Sequence, residues 1–198
     1  MRLLLLMACA LQVLSAQDDP PPEVRFGTTV VIPTGLQGKV YHISEFAKKL
    51  PNLEKKKPAG SIYTTSLNIP LQDFRAGFPG VTKKTEWFAI DYTGKFWIEK
   101  PGQYKFFLSS DDGSKLYIDD QVAIDNDGIH AILTKDCALE LTAGVHQIRV
   151  SYFQGPGTQL ALILEIQAPF MPRRVFNTDE YKPPSTLETL PSGIPHGL

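Results

Sequence analysis

Cysteine is nearly absent. Cys9 and Cys137 are the only two in 198 residues. A disulfide-stapled fold is therefore excluded once Cys9 leaves with a leader, and no Cys/His cluster supports a zinc-type site. No apolar run reaches the ~20 residues that a membrane-crossing helix needs. Neither sign of charge dominates: 20 Lys and Arg stand against 21 Asp and Glu, for a net charge of −1. A nucleic-acid partner would want a concentrated basic face, and the one basic cluster, Lys55-Lys56-Lys57 before Pro58-Ala59-Gly60, reads as a solvated loop rather than a binding patch. The Gly-x-Ser-x-Gly elbow of serine hydrolases and the His-Glu-x-x-His of zinc proteases are also missing. Cys137 lies in the alternating stretch Cys137-Ala138-Leu139-Glu140-Leu141, where a small buried hydrophobe fits better than a reactive thiol.

The chain opens with Arg2, a short apolar run from Leu3, and small residues at Ser15-Ala16. This reads as a secretory signal peptide over residues 1–16, and it implies export to the cell surface or periplasm. Lipidation at Cys9 is the alternative, since Leu6-Met7-Ala8-Cys9 is lipobox-like, but the apolar character continues past Cys9. Asp18-Asp19-Pro20-Pro21-Pro22 makes residues 17–25 a stiff, solvated lead-in. Residues 169–198 hold six prolines and little apolar periodicity. They read as an extended tail or linker, open to a protein partner. The folded domain is thus expected over residues 26–168.

Strand signals dominate that domain. Residues 24–32 are rich in β-branched side chains. Residues 86–92 and 95–99 read as a hairpin turning at Thr93-Gly94. Tyr104, Phe106 and Leu108 alternate onto one face. Residues 114–118 and 121–124 flank a tight Asp119-Asp120 turn, and residues 145–153 form a further strand. The near-continuous apolar run at 158–166 suits a central strand. The one helical candidate is Ser44–Leu50, with Ser44 as its cap. Many short strands with turns every 8–12 residues or so argue for an all-β, antiparallel sandwich or barrel.

The segment that carries chemistry is Ser110-Asp111-Asp112-Gly113-Ser114. Two adjacent carboxylates sit between two strands, in a loop too short to let them drift apart. A divalent cation compensates their repulsion directly, and calcium takes six to eight oxygen ligands at about 2.3–2.6 Å. A second loop, Gln154-Gly155-Pro156-Gly157, offers an amide oxygen and backbone carbonyls. An ordinary Gly-Pro turn is the other reading of it. A third segment, Asp125-Asn126-Asp127-Gly128-Ile129-His130, would add ligands or line a pocket; the alternative is a turn held by its own Asx side chains. It is not an EF-hand loop, because Ala123 and Thr134 would then occupy the first and twelfth positions, where carboxylates are required.

Taken together, Ser110-Asp111-Asp112-Gly113-Ser114, Asp125-Asn126-Asp127-Gly128-x-His130, Gly144-x-His146 and Tyr152-Phe153-Gln154-Gly155-Pro156 resemble the PA14 domain, most of all its fibro-slime type. Gly77-Phe78-Pro79-Gly80, Glu86-Trp87-Phe88 and Gly102-x-Tyr104-x-Phe106 extend the resemblance over residues 35–167. It implies the β-sandwich called the PA14 fold. In lectin-like members, such as yeast flocculins and bacterial adhesins, two consecutive aspartates joined by a cis peptide hold calcium. These match Asp111 and Asp112. A glutamine of the later loop completes the bacterial sites and matches Gln154; the yeast members carry asparagine there. The carbonyls of Gly155 and Gly157 would fill the sphere, and vicinal sugar hydroxyls replace water on the exposed side. The expected sugar contacts are Asp111, Asp112 and Gln154, joined by Asn126, Asp127 and His130 if the third segment lines the pocket. Some PA14 domains instead serve as protein-contact or packing modules.

Two functions follow as expectations. One is a secreted calcium-dependent lectin that binds a glycan or cell-surface polysaccharide. The other is a structural or protein-interaction domain whose calcium only rigidifies loops. Catalysis is disfavoured: adjacent acids in one tight loop cannot flank a sugar on opposite sides as a glycosidase pair must. His146, in register with Ile148 and Val150, reads as a hydrogen-bonded core histidine.

Overall fold

The computed structural model describes residues 26–184. Among these, eleven strands form two antiparallel sheets. The first sheet holds β1 (Leu36–His42), β2 (Gly60–Thr64), β4 (Phe88–Ile98), β6 (Ser114–Ile118), β7 (Gln121–Asn126) and β9 (Gly144–Gln154), in the order β2-β1-β4-β9-β6-β7. The second holds β3 (Asn68–Asp73), β5 (Gly102–Asp111), β8 (Leu133–Leu141), β10 (Gln159–Gln167) and β11 (Arg174–Val175). Its order is β11-β10-β5-β8, with β3 also paired to β10.

The core follows from period-two alternation. Tyr104, Phe106 and Leu108 of β5, with Leu160, Leu162, Leu164 and Ile166 of β10, face inward from one sheet. Phe88, Ile90, Tyr92, Phe96 and Ile98 of β4, with Ile148, Val150 and Tyr152 of β9, meet them from the other. Each such side chain contributes about 1.5–3 kcal/mol when fully buried. At one end Phe26, Phe74, Phe78, Phe88 and Tyr152 form an aromatic cluster, with centroids of neighbouring pairs such as Phe78–Phe88 at 4.9 Å and edge-to-face. On the outer side of the first sheet, Ala89 and Phe153 are covered by Ile43, Ala47, Leu50 and Leu53.

Four sequence readings are corrected. Residues 88–98 are one strand rather than a hairpin. Gly94 is there for packing, since an added Cβ would lie 2.7 Å from Leu36 Cδ2. Ser44–Leu50 is a single turn rather than a helix. Ser44 does accept from the Phe46 amide at 3.2 Å, but the Leu50 amide donates to Asp127 Oδ1 at 2.8 Å, and Pro51 follows. Of residues 24–32, those described contribute only an isolated bridge, Thr28 to Tyr63. Finally, the part of the 169–198 tail that is described, residues 169–184, stays on the sandwich, and the rest of that reading lies outside the described residues. Arg174–Val175 pairs with β10, Phe176 is fully buried, and Tyr181 stacks on it at 5.4 Å. The signal-peptide reading of residues 1–16 and the lead-in to residue 25 lie outside the described residues.

The topology places the site. The chain crosses between the sheets from β5 to β6, from β7 to β8 and from β9 to β10. The registers Ala161 to Asp111, Ser110 to Leu133 and Ser114 to both Asn126 and Tyr152 bring all three crossings to one end of the sandwich.

Candidate functional site

Asp111 closes β5 and Ser114 opens β6, so Asp112 and Gly113 alone carry the chain between sheets. The Asp111–Asp112 peptide is cis. Gly113 passes beneath Phe153 and beside Gly128; an added Cβ would lie 2.3 Å from the Phe153 ring and 2.7 Å from Gly128 N. Only glycine fits there.

Asp112 is nearly buried, and its two oxygens tie down the other two crossings. Oδ1 accepts from the His130 amide at 3.1 Å, and Oδ2 accepts from the Gly155 amide at 2.8 Å. Asp111 is less buried. Together with His130, Gly157, Thr158 and Gln159 the two aspartates line a cleft of about 320 Å³ open to solvent. Burial, and then the Asp112 charge, raises the Asp111 pKa above the ordinary carboxylate value. Burial raises that of Asp112 as well, against the opposing pull of the Gly155 and His130 amides.

Gln154 sits elsewhere in this arrangement than the sequence suggests. It is fully buried at the end of β9. Its Oε1 faces the Tyr152 hydroxyl at 2.5 Å, while its Nε2 donates to Gly157 O at 3.3 Å and Gln159 O at 2.9 Å. It therefore braces the 155–158 turn from inside. Tyr152, on the same face two residues earlier, also donates to the Asp111 carbonyl at 2.7 Å. That link was not assigned from the sequence, although the alternation of Tyr152 with Gln154 in a β pattern signals it.

The third segment divides. His130 lines the cleft, and both of its ring nitrogens face backbone carbonyls, Ala131 O and Asn126 O, each at 2.9 Å. Asn126 is fully buried beneath the site. Its Nδ2 donates to Ser110 Oγ and Leu133 O, each at 3.0 Å, and Ser110 Oγ meets Ser114 Oγ at 2.6 Å. Asp127 points toward Lys115 at 3.4 Å and the Leu50 amide, away from the cleft. The Asx turn is present too, with the Asp127 amide donating to Asp125 Oδ1 at 3.1 Å. The fold thus brings Asp111, Asp112, His130 and Gly157 to one cleft, buries Gln154, Gly155 and Asn126 behind it, and directs Asp127 elsewhere.

The donor set suits a hard cation. Two carboxylates, disfavoured as anions by burial, stand beside backbone carbonyls, with no sulfur at hand. Among the described residues no group of three or more His, Cys, Asp or Glu is arranged to hold a metal. Any donors beyond the pair would be neutral oxygens.

A family model described as the PA14 domain matches residues 48–177. The chain belongs to the PA14 domain family. No curated protein matches it. Among solved structures, this PA14 domain superposes on one described as the PA14 sugar-binding domain from RTX adhesin, with a TM-score of 0.63 and 15% identity, over 73% of this chain and 96% of that one. The PA14 domain of the antifreeze protein MpAFP gives 0.61 at 16% identity, over 83% and 94%. The Epithelial Adhesin 6 A domain from Candida glabrata, in complex with Galb1-3GlcNAc, gives 0.52 at 18% identity, over 78% and 90%. An anti-sigma factor domain-containing protein matches at 0.59 and 19% identity over 77% of this chain, which spans only 49% of that protein. At these identities the likeness is one of fold, and the fold is the PA14 β-sandwich.

Proposed function

We propose that this PA14 domain is an exported, non-catalytic, calcium-dependent carbohydrate-binding module. The observation that carries the reading is the pair Asp111 and Asp112, fixed side by side at the meeting point of three crossings and lining an open cleft. Asp111, Asp112 and the Gly157 carbonyl would hold the ion. Gln154 and Tyr152 keep the Asp111 carbonyl and the 155–158 turn in place. Calcium, when bound, supplies loosely directed coordination positions that vicinal sugar hydroxyls fill. His130, on the cleft wall, borders the sugar. Structures of like fold described as sugar-binding or solved with Galb1-3GlcNAc support the reading.

A second reading, a structural or protein-contact module, is favoured by one observation. Both Asp112 oxygens already serve loop amides, so the residue pins two loops with or without metal. A glycan array probed with calcium and with chelator separates the two. The lectin reading expects binding that chelation abolishes. No glycan binding, with melting still sensitive to chelation, leaves the structural one.

A further inference from the structure

The outer face of the first sheet carries a second concavity, of about 420 Å³, which shares no lining residue with the Asp111–Asp112 cleft. Strand register builds its floor. One rung runs from Lys39 through Asp91 and Ser151 to Lys115; the next runs from Thr93 through Arg149 to Tyr117. Residues 50–54 form a wall, held over the sheet by the Leu50 amide on Asp127.

Most charges on this floor are already served. Lys115 pairs with Asp125 at 3.0 Å and Asp127 at 3.4 Å, and Asp91 accepts from Ser151 Oγ at 2.6 Å. Two cations form no hydrogen-bonded ion pair, although the charges of both act on the Asp91 carboxylate. The Arg149 guanidinium sits over the Tyr117 ring, with Cζ 3.8 Å from the centroid, and its Nε is buried without a hydrogen-bond partner. Lys39 is exposed opposite Asp91, and among the described residues neither Lys39 nor Arg149 forms an ion pair. The terminal nitrogens of a guanidinium on the cavity floor suit a planar or tetrahedral oxyanion, because their fork matches two acceptor oxygens at once. The cavity exceeds what a lone anion fills and falls in the ~300–1,000 Å³ range of small-ligand sites. Asp91, Thr93 and Asn52 supply acceptors and donors suited to hydroxyls, and Tyr41 an apolar wall for a ring's C–H face.

We propose that this face is a second binding site, for an acidic sugar unit whose carboxylate or sulfate is taken by Arg149 and Lys39. It needs no calcium and stands whether or not Asp111 and Asp112 hold the ion.

The test is calorimetric titration of the full chain, in chelator, with three probes: a galacturonic acid trisaccharide, a sulfated galactose trisaccharide and the neutral galactose trisaccharide. Binding of either acidic probe at least about tenfold tighter than the neutral one is expected, weakening as salt rises; the tighter of the two identifies the anion. Arg149→Gln and Lys39→Gln are each expected to weaken it about tenfold. Lys39 is exposed, so that variant carries the test if Arg149→Gln fails to fold. Three results would overturn the proposal: no binding of either acid, equal binding of acid and neutral probes, or acidic binding that appears only when calcium is added.

Discussion

The Tyr152 hydroxyl stands 2.5 Å from the Gln154 side-chain oxygen, and the same hydroxyl lies 2.7 Å from the Asp111 carbonyl. The single hydroxyl proton is shared between these two acceptors at the back of the cleft. Tyr152→Phe removes it and keeps the ring in the aromatic cluster. It is expected to cost about 1–3 kcal/mol in urea unfolding. An unchanged midpoint would mean that the hydroxyl is no brace.

Asp111 and Asp112 are expected to separate by experiment. Asp112 ties two loops through two charge-assisted bonds. Asp112→Ala should therefore lose about 2 kcal/mol of stability even in chelator. Asp111→Asn, at the more open position, should leave stability in chelator near that of the parent and abolish calcium-dependent glycan binding. Equal losses from the two variants in chelator would contradict this division.

Gly113 has no room for a methyl group. Gly113→Ala drives a Cβ to 2.3 Å from the Phe153 ring, and the Gly128 backbone opposite cannot yield cheaply. Destabilisation of about 1–3 kcal/mol or more is expected, read as a fall in melting temperature.

The pair His146–Asp119 predicts a pH profile. Nδ1 of His146 meets Asp119 Oδ2 at 2.6 Å and Nε2 meets Thr142 O at 2.9 Å. Both partners are acceptors, so the surroundings favour the imidazolium form of the ring. Burial lowers its pKa, and the Thr142 carbonyl and Asp119 more than reverse this, leaving it raised above 6.5. Its stabilisation is complete below 6.5 and is lost as pH rises through the raised value. For Asp119, burial raises the pKa, but His146 and the Gln147 amide outweigh it and hold it below 3.8. That share is present above 3.8 and is lost as pH falls through the lowered value. Asp119 is half exposed, so the whole effect should stay under about 1 kcal/mol. Melting temperature against pH should fall on the alkaline side for the parent and flatten for Asp119→Asn.

Much of the sandwich was legible because alternation is local. β5 shows Tyr104, Phe106 and Leu108 on one face, and Asp119-Asp120 makes the tight turn with both residues at positive φ, 48° and 64°. Gly94 misled because its reason lies in Leu36 on a neighbouring strand, and a turn glycine and a packing glycine look alike in sequence. Ser44–Leu50 misled because the amide that would extend a helix is claimed by Asp127, far along the chain. At the site, adjacency kept Asp111 and Asp112 together. The inward turn of Asn126 was hidden, because it depends on Ser110 and Leu133 from two other strands, whereas that of Gln154 rests on Tyr152 two residues earlier on its own strand.

Calcium titrated calorimetrically into chelator-stripped protein bears most directly on the central claim. The parent chain should take up one ion per molecule, and Asp111→Asn should take up none. Absence of heat from the parent, or identical uptake by the variant, would contradict the assignment of the ion to this pair of acids.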